Sequence, residues 1–157
     1  MAAQTFELTT TTISADPPAV IDFLMDLTRH RGLHPYVVSA EVVATGSDDD
    51  GAWSDWRVVE RPRLGPFRYS IRFPARMLRS SETSMVGTVR AAPGCSLLTT
   101  TVAGLVDGQT VLTETTTVTA PRLVVGYMTS QARLAHARTY SLLPGQFAID
   151  PGVPGGR

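Results

Sequence analysis

From residue 36 to residue 120 the sequence keeps a period of two, broken at short intervals by turn-forming residues. Side chains of a strand alternate between its two faces, so such a stretch folds as hairpin-linked strands. Residues 36–45 and 52–61 read as a pair around the acidic turn 47–51, and the prolines in 62–66 break the second of them. The strand 67–77 alternates most clearly, with Phe67, Tyr69, Ile71 and Phe73 on one face. Arg68, Ser70 and Arg72 take the other face, with Arg76 near it. Three more strands follow at 79–91, 95–106 and 109–120, turning at Pro93-Gly94 and at the two-residue hairpin Asp107-Gly108. Hairpin neighbours are antiparallel, which excludes a doubly wound parallel sheet.

The flanks change period. Residues 5–13 alternate weakly and are rich in threonine, as suits a half-exposed strand. Asp16 followed by Pro17 and Pro18 is a helix-start signal, and Val20, Phe23, Leu24 and Leu27 then share one helical face. Asp26 starts a second short helix that Gly32 and Pro35 end, giving two short helices between residues 17 and 33. Over 123–143 the helical period returns, with Val124, Tyr127, Met128, Leu134, Ala135 and Leu142 on one stripe until Pro144-Gly145. The class is therefore α+β, with a curved seven-stranded antiparallel sheet wrapped around a long C-terminal helix and two short helices after strand 1. A helix of about twenty residues is roughly 30 Å long and crosses such a sheet. A wrap that side chains do not fill leaves a cavity between sheet and helix. Residues 1–145 form one ligand-binding domain, and 146–157, with two prolines and three glycines, read as a flexible tail.

Composition narrows the chemistry. Fourteen arginines balance fourteen acidic residues, so bulk charge does not favour nucleic acid. Lysine is absent, which excludes Schiff-base chemistry on a lysine side chain. Cys95 is the only cysteine, so neither an intramolecular disulfide nor a cysteine-based zinc site can form within one chain. Residues 1–8 show no basic stretch followed by an apolar one, and no segment reaches the roughly 20 apolar residues of a membrane span. A cytoplasmic protein, not integral to a membrane, is expected.

Four stretches carry a family resemblance: Ile13-Ser14-Ala15-Asp16-Pro17-Pro18-Ala19-Val20, the segment 26–35 ending in Leu33-His34-Pro35, the turn Arg63-Leu64-Gly65-Pro66, and Ala135-His136-Ala137-Arg138. With the element order, they make residues 4–143 similar to the START-related SRPBCC superfamily, in its polyketide cyclase/dehydrase and lipid-transport branch. The resemblance implies a helix-grip fold that binds, transports or sequesters a small hydrophobic ligand such as a lipid or polyketide, with no cofactor. Many relatives bind between sheet and C-terminal helix.

On that reading Tyr69, Ile71, Phe73, Met85, Tyr127, Met128 and Leu134 point inward, either as a ligand lining or simply as core, and Gln131, Thr99 and Thr101 supply orienting hydrogen bonds. The alternative is an aromatase/cyclase-type enzyme, a cyclase/dehydrase-like lyase, with Glu114, His34 or Tyr127 assisting proton transfer. Glu114 is the only charge on its strand, where burial can tune a carboxyl for acid–base work, and His34 is placed at the cavity mouth. Asp55, Arg57, Glu60 and Arg61 read as exposed ion pairs; in the alternative reading one of them lies inside the cavity, where desolvation raises a carboxyl pKa into the range for acid–base work. His30 and His34 are four apart, but Gly32 and Pro35 interrupt the helix that a metal pair needs, so no metal is expected; His136 reads as an ordinary helix residue. Trp53 and Trp56 have opposite parity, so at most one faces inward. Eight of the fourteen arginines lie at 57, 61, 63, 68, 72, 76, 79 and 90. They form either a solvated outer face that discourages edge pairing or, in a third reading, the docking face of a protein-interaction module. Aromatic residues do not alternate with them, which argues against nucleic acid.

Overall fold

In the computed structural model, which describes residues 1–148, β1 (Ala2–Thr9) leads into α1 (Pro17–Met25) and a 3-10 turn (Leu27–His30). Then come β2 (Val37–Asp48), β3 (Gly51–Glu60), the short β4 (Arg63–Leu64) and β5 (Phe67–Arg68), β6 (Ile71–Ser81) and β7 (Ser84–Ala92). The chain continues through β8 (Cys95–Val106), β9 (Gln109–Ala120), α2 (Val125–Leu142) and a second 3-10 turn (Leu143–Phe147). Seven strands form one antiparallel sheet in the order β1-β9-β8-β7-β6-β3-β2, so the first strand closes onto the last. This is a helix-grip α+β fold.

The β8–β9 hairpin shows how local chemistry fixes register. Asp107 and Gly108 have φ of 51° and 76°, the two left-handed positions of a type I′ turn, whose twist matches that of the strands it joins. Gly108→Val puts a β-branched side chain at such a φ. It is expected to cost about 1–2 kcal/mol, read as a lowered urea midpoint with an unchanged slope.

At the helix starts, Asp26 accepts hydrogen bonds from the Thr28 backbone N–H at 3.0 Å and from its hydroxyl at 2.6 Å, capping the 3-10 turn. Asp16 makes no such side-chain bond, so the α1 start rests on the prolines that follow it.

Three expectations are corrected. The strand placed at 67–77 begins only at Ile71, because Phe67 and Arg68 fold back on Leu64 and Arg63 across Gly65, which has φ of 60°. The flanking prolines cannot donate to a sheet ladder, and Phe67 is left 73% exposed. The helical stripe is also rotated: Leu134, Leu142 and Val124 are exposed, while Val125, Ala135, Thr139 and Tyr140 are buried. The inward face is made of small and polar residues whose groups are satisfied inside, as when Thr139 donates to the Ala135 carbonyl at 3.1 Å, so apolar spacing alone misplaces it. Finally, Gln146 and Phe147 belong to the closing 3-10 turn, and Phe147 packs edge-on against Phe23 at 5.3 Å, so the tail expected from residue 146 does not begin there. The remainder of that expected tail, 149–157, lies outside the described residues.

The core joins Val20, Ile21, Phe23 and Leu24 of α1 to Trp56, Val58, Phe73 and Met77 on the concave sheet face. Trp56 is the inward tryptophan. Trp53 lies on the outer face under the Arg76 guanidinium, 4.4 Å from the ring centre. The long helix packs on β1 and β9, at one side of the sheet, and α1 covers only part of β6–β8, which leaves a space between these strands and the long helix.

Candidate functional site

Strand parity builds the walls of that space. Phe73, Ala75 and Met77 of β6, Met85, Gly87 and Val89 of β7, and Leu97, Thr99 and Thr101 of β8 each recur at every second position and face α2 across a cavity of about 240 Å³. Of the ten residues expected to line it, nine do: Tyr69, Ile71, Phe73, Met85, Thr99, Thr101, Tyr127, Met128 and Gln131. Leu134 does not, because it sits on the solvent side of α2, 62% exposed. Tyr69 and Tyr127 are half exposed and mark where the cavity opens.

Several of the polar groups expected to orient a ligand are bound to the protein itself. The Thr99 and Thr116 hydroxyls lie 3.0 Å apart, and the Thr101 hydroxyl is 3.4 Å from that of Tyr140. Tyr36 donates to Gln131 Oε1 at 3.1 Å, which leaves the Gln131 amide NH₂ available.

At the polar end, β9 and α2 bring together Glu114 and His136. The Glu114 side chain accepts from Thr116 at 2.9 Å and sits 2.6 Å from His136 Nδ1. Burial pushes the Glu114 carboxyl up, but the hydrogen bond and charge of His136 outweigh it and hold the pKa below the ordinary value. His136 is the mirror case: burial lowers its imidazole, and Glu114 more than restores it, so its pKa is raised. The pair is therefore carboxylate and imidazolium. His136 is thus no ordinary helix residue, since Nδ1 is committed to Glu114 and the ring lines the cavity.

Glu60 also departs from its exposed-pair reading and matches the alternative that placed a carboxyl inside the cavity. Far from an exposed ion pair, its side chain is only 17% exposed, lines the cavity and has His34 Nδ1 as its polar neighbour at 3.7 Å. Burial raises its pKa to about 7, against a smaller opposing pull from His136. His34, also lining the cavity, is pushed down to about 3 by burial and by the neighbouring His136 and His30. Although the Glu60–His34 spacing meets a salt-bridge distance, it is not an ion pair: the imidazole is neutral, and its Nδ1 already accepts the Tyr36 backbone N–H at 3.3 Å. His30 is likewise lowered by burial and contacts the Leu24 carbonyl through Nε2 at 3.0 Å.

Sequence reasoning passed over His136, His30, Tyr36 and Tyr140 as lining residues, and had Glu60 only as one of four residues in an alternative reading. For Glu60 the signal was parity with Trp56 and Val58. For His136 it was the helical spacing from Met128 and Ala132. Among the described residues no group of three His, Cys, Asp or Glu side chains is arranged to hold a metal ion.

The sequence matches no family model, and comparison with curated proteins gives no match. Solved structures do match. The ZhuI aromatase/cyclase from Streptomyces sp. R1128 superposes with a TM-score of 0.73 at 13% identity, over 92% of this chain and 93% of that one. A START superfamily protein from Mycobacterium smegmatis gives 0.66 at 14%, over 91% and 96%. The fold is that of the START-related SRPBCC superfamily. The di-domain aromatase/cyclase BexL, of the BE-7585A biosynthetic pathway, matches with 0.71 at 14% over 95% of this chain, which spans 51% of that protein.

The arginine cluster is partly self-neutralised, Arg57 and Arg76 on the outer sheet face and Arg79, in parity with Phe73 and Met77, on the side that α1 covers. Arg57 pairs with Glu41, Arg76 binds Asp55 through two hydrogen bonds, and Arg79 meets Asp22. Among the described residues Arg61, Arg63, Arg68, Arg72 and Arg90 form no ion pair. No helix among the described residues is long and apolar enough to cross a membrane.

Proposed function

We propose that this chain binds a small hydrophobic or amphipathic molecule between sheet and C-terminal helix, for transport or sequestration. The supporting observation is the unfilled cavity of about 240 Å³, with apolar walls and one polar end. Its size is just under the roughly 300–1,000 Å³ typical of drug-sized sites, which favours a medium-length chain or a compact ring system. Affinity would come from apolar burial at roughly 25 cal/mol per Å², and orientation from the polar end. A cytoplasmic location belongs to the same proposal, supported by the lone unpaired Cys95.

The test uses Gly87→Leu. A Cβ at Gly87 meets only ordinary contacts, with Met77 Sδ 3.5 Å away, and starts from a buried strand position that lines the cavity. Native mass spectrometry of the purified wild type is expected to show a bound small molecule, and Gly87→Leu to lose it with its circular dichroism unchanged. A ligand-free wild type across several preparations would contradict the proposal.

A second reading, an aromatase/cyclase-type enzyme acting in the same cavity, is favoured by one observation. The imidazolium His136 and Glu60, with its pKa of about 7, face one space and form an acid and a base suited to neutral pH. Turnover abolished in Glu114→Gln with the fold retained would support it, because that change removes the charge that keeps His136 protonated.

A further inference from the structure

The polar end of the cavity offers hydrogen-bond donors that the protein does not use. His34 Nδ1 accepts the Tyr36 N–H, so the neutral ring carries its proton on Nε2. His136 engages Glu114 through Nδ1, so its second N–H is also on Nε2. Neither Nε2 has a hydrogen-bond partner in the protein, and no buried side-chain nitrogen or oxygen among the described residues is left without one. Both atoms are therefore accessible, and both rings line the cavity. The two ring centres are 6.1 Å apart, and Glu60 flanks His34 with a carboxyl that no protein group hydrogen-bonds.

We propose, building on the ligand-binding reading above, that this end receives the head group of an amphipathic carboxylic acid. The ligand carboxylate accepts from His34 Nε2–H and His136 Nε2–H, and Glu60 in its acid form donates a third hydrogen bond. A carboxylate offers two oxygens with about four acceptor sites, enough for three donors. An ammonium head would face two N–H groups and the positive charge of His136, and an alcohol would leave donors unfilled.

Recognition of this kind is linked to a proton. Glu60 takes that proton from water and must hold it for the carboxyl–carboxylate hydrogen bond to form. The groups around Glu60 are His34 from the segment before β2, His136 of α2, Tyr69 from the segment before β6, and Glu114 of β9, already engaged by His136. His34 is neutral well below neutral pH and Tyr69 is raised further above its ordinary value, so the groups left to change as pH rises past neutral are Glu60, at about 7, and His136, whose pKa is raised by Glu114; loss of either proton weakens the hold on a carboxylate.

Isothermal titration calorimetry with decanoate, decanol and decylamine tests the proposal. The wild type is expected to bind decanoate most tightly, with affinity falling about tenfold between pH 6 and 8. Glu60→Gln, whose amide N–H donates at every pH, is expected to bind decanoate with a clearly smaller fall over the same range, the remainder being the share of His136. Decanol or decylamine binding as tightly as decanoate, or a wild-type affinity that does not fall with pH, would overturn the head-group assignment while leaving the cavity reading intact. No binding of any of the three probes would overturn both.

Discussion

Glu114→Ala is expected to cost about 3–5 kcal/mol of folding stability at pH 6, the scale for breaking one side of a buried ion pair. Glu114 is only 4% exposed and supplies the counter-charge for His136. Its removal leaves an imidazolium beside apolar walls and takes the acceptor from Thr116. The pH dependence follows from both partners. The lowered Glu114 pKa contributes stability that is present above about 4.5, its ordinary value, and is lost as pH falls through the depressed one. The raised His136 pKa contributes stability that is full below about 6.5 and is lost as pH rises through the raised value. The pair therefore stabilises most between those two ordinary values. Urea unfolding of Glu114→Ala, His136→Ala and the double variant gives the coupling directly, and the double variant is expected to be clearly more stable than the sum of the single losses implies. A Glu114→Ala cost below about 1 kcal/mol, the range of exposed pairs, would show that the buried pair does not form.

Glu60→Gln is expected to act in the opposite direction, stabilising the protein by about 2–3 kcal/mol at pH 8 and hardly at all at pH 4.5. The Glu60 carboxyl moves from 4.5 to about 7 on folding because it is buried with no hydrogen-bonding partner in the protein. A raised carboxyl pKa favours the folded state below about 4.5, and that advantage drains away as pH climbs to about 7. Glutamine keeps the shape and cannot ionise, so the gap between variant and wild type opens over that interval. Equal stability of the two proteins at pH 8 would show that Glu60 is solvated in the folded state. A gain that is the same at both pH values would point to packing and not to charge.

These two carboxyls also show what the sequence can reveal. Glu114 stands out as the only charge on a strand of threonines and aliphatics, and the structure buries it. Glu60 lies among Asp55, Arg57 and Arg61, where surface pairing is the natural reading. Its inward parity becomes visible only once Trp56, and not Trp53, is known to face the core. His136 has no local signal of charge pairing, because its partner is 22 residues away and joins it only when α2 folds over β9. The strands β8 and β9 are legible to the residue because the Asp107-Gly108 turn admits one register. The α2 facing is not, since its buried residues are Val125, Ala135, Thr139 and Tyr140, only one of them a large aliphatic, and apolar spacing selected Leu134 on the wrong side.

The central claim is that the long helix lies across the concave sheet without filling the space beneath it. Xenon occupies dry apolar cavities, so a crystal of the wild-type protein, stripped of any co-purified ligand and held under xenon pressure, reports on that space directly. Xenon density is expected between Phe73, Met85 and the helix, and Gly87→Leu is expected to abolish it. Side chains of β6 and β7 packed against α2, with no xenon between them, would contradict the account.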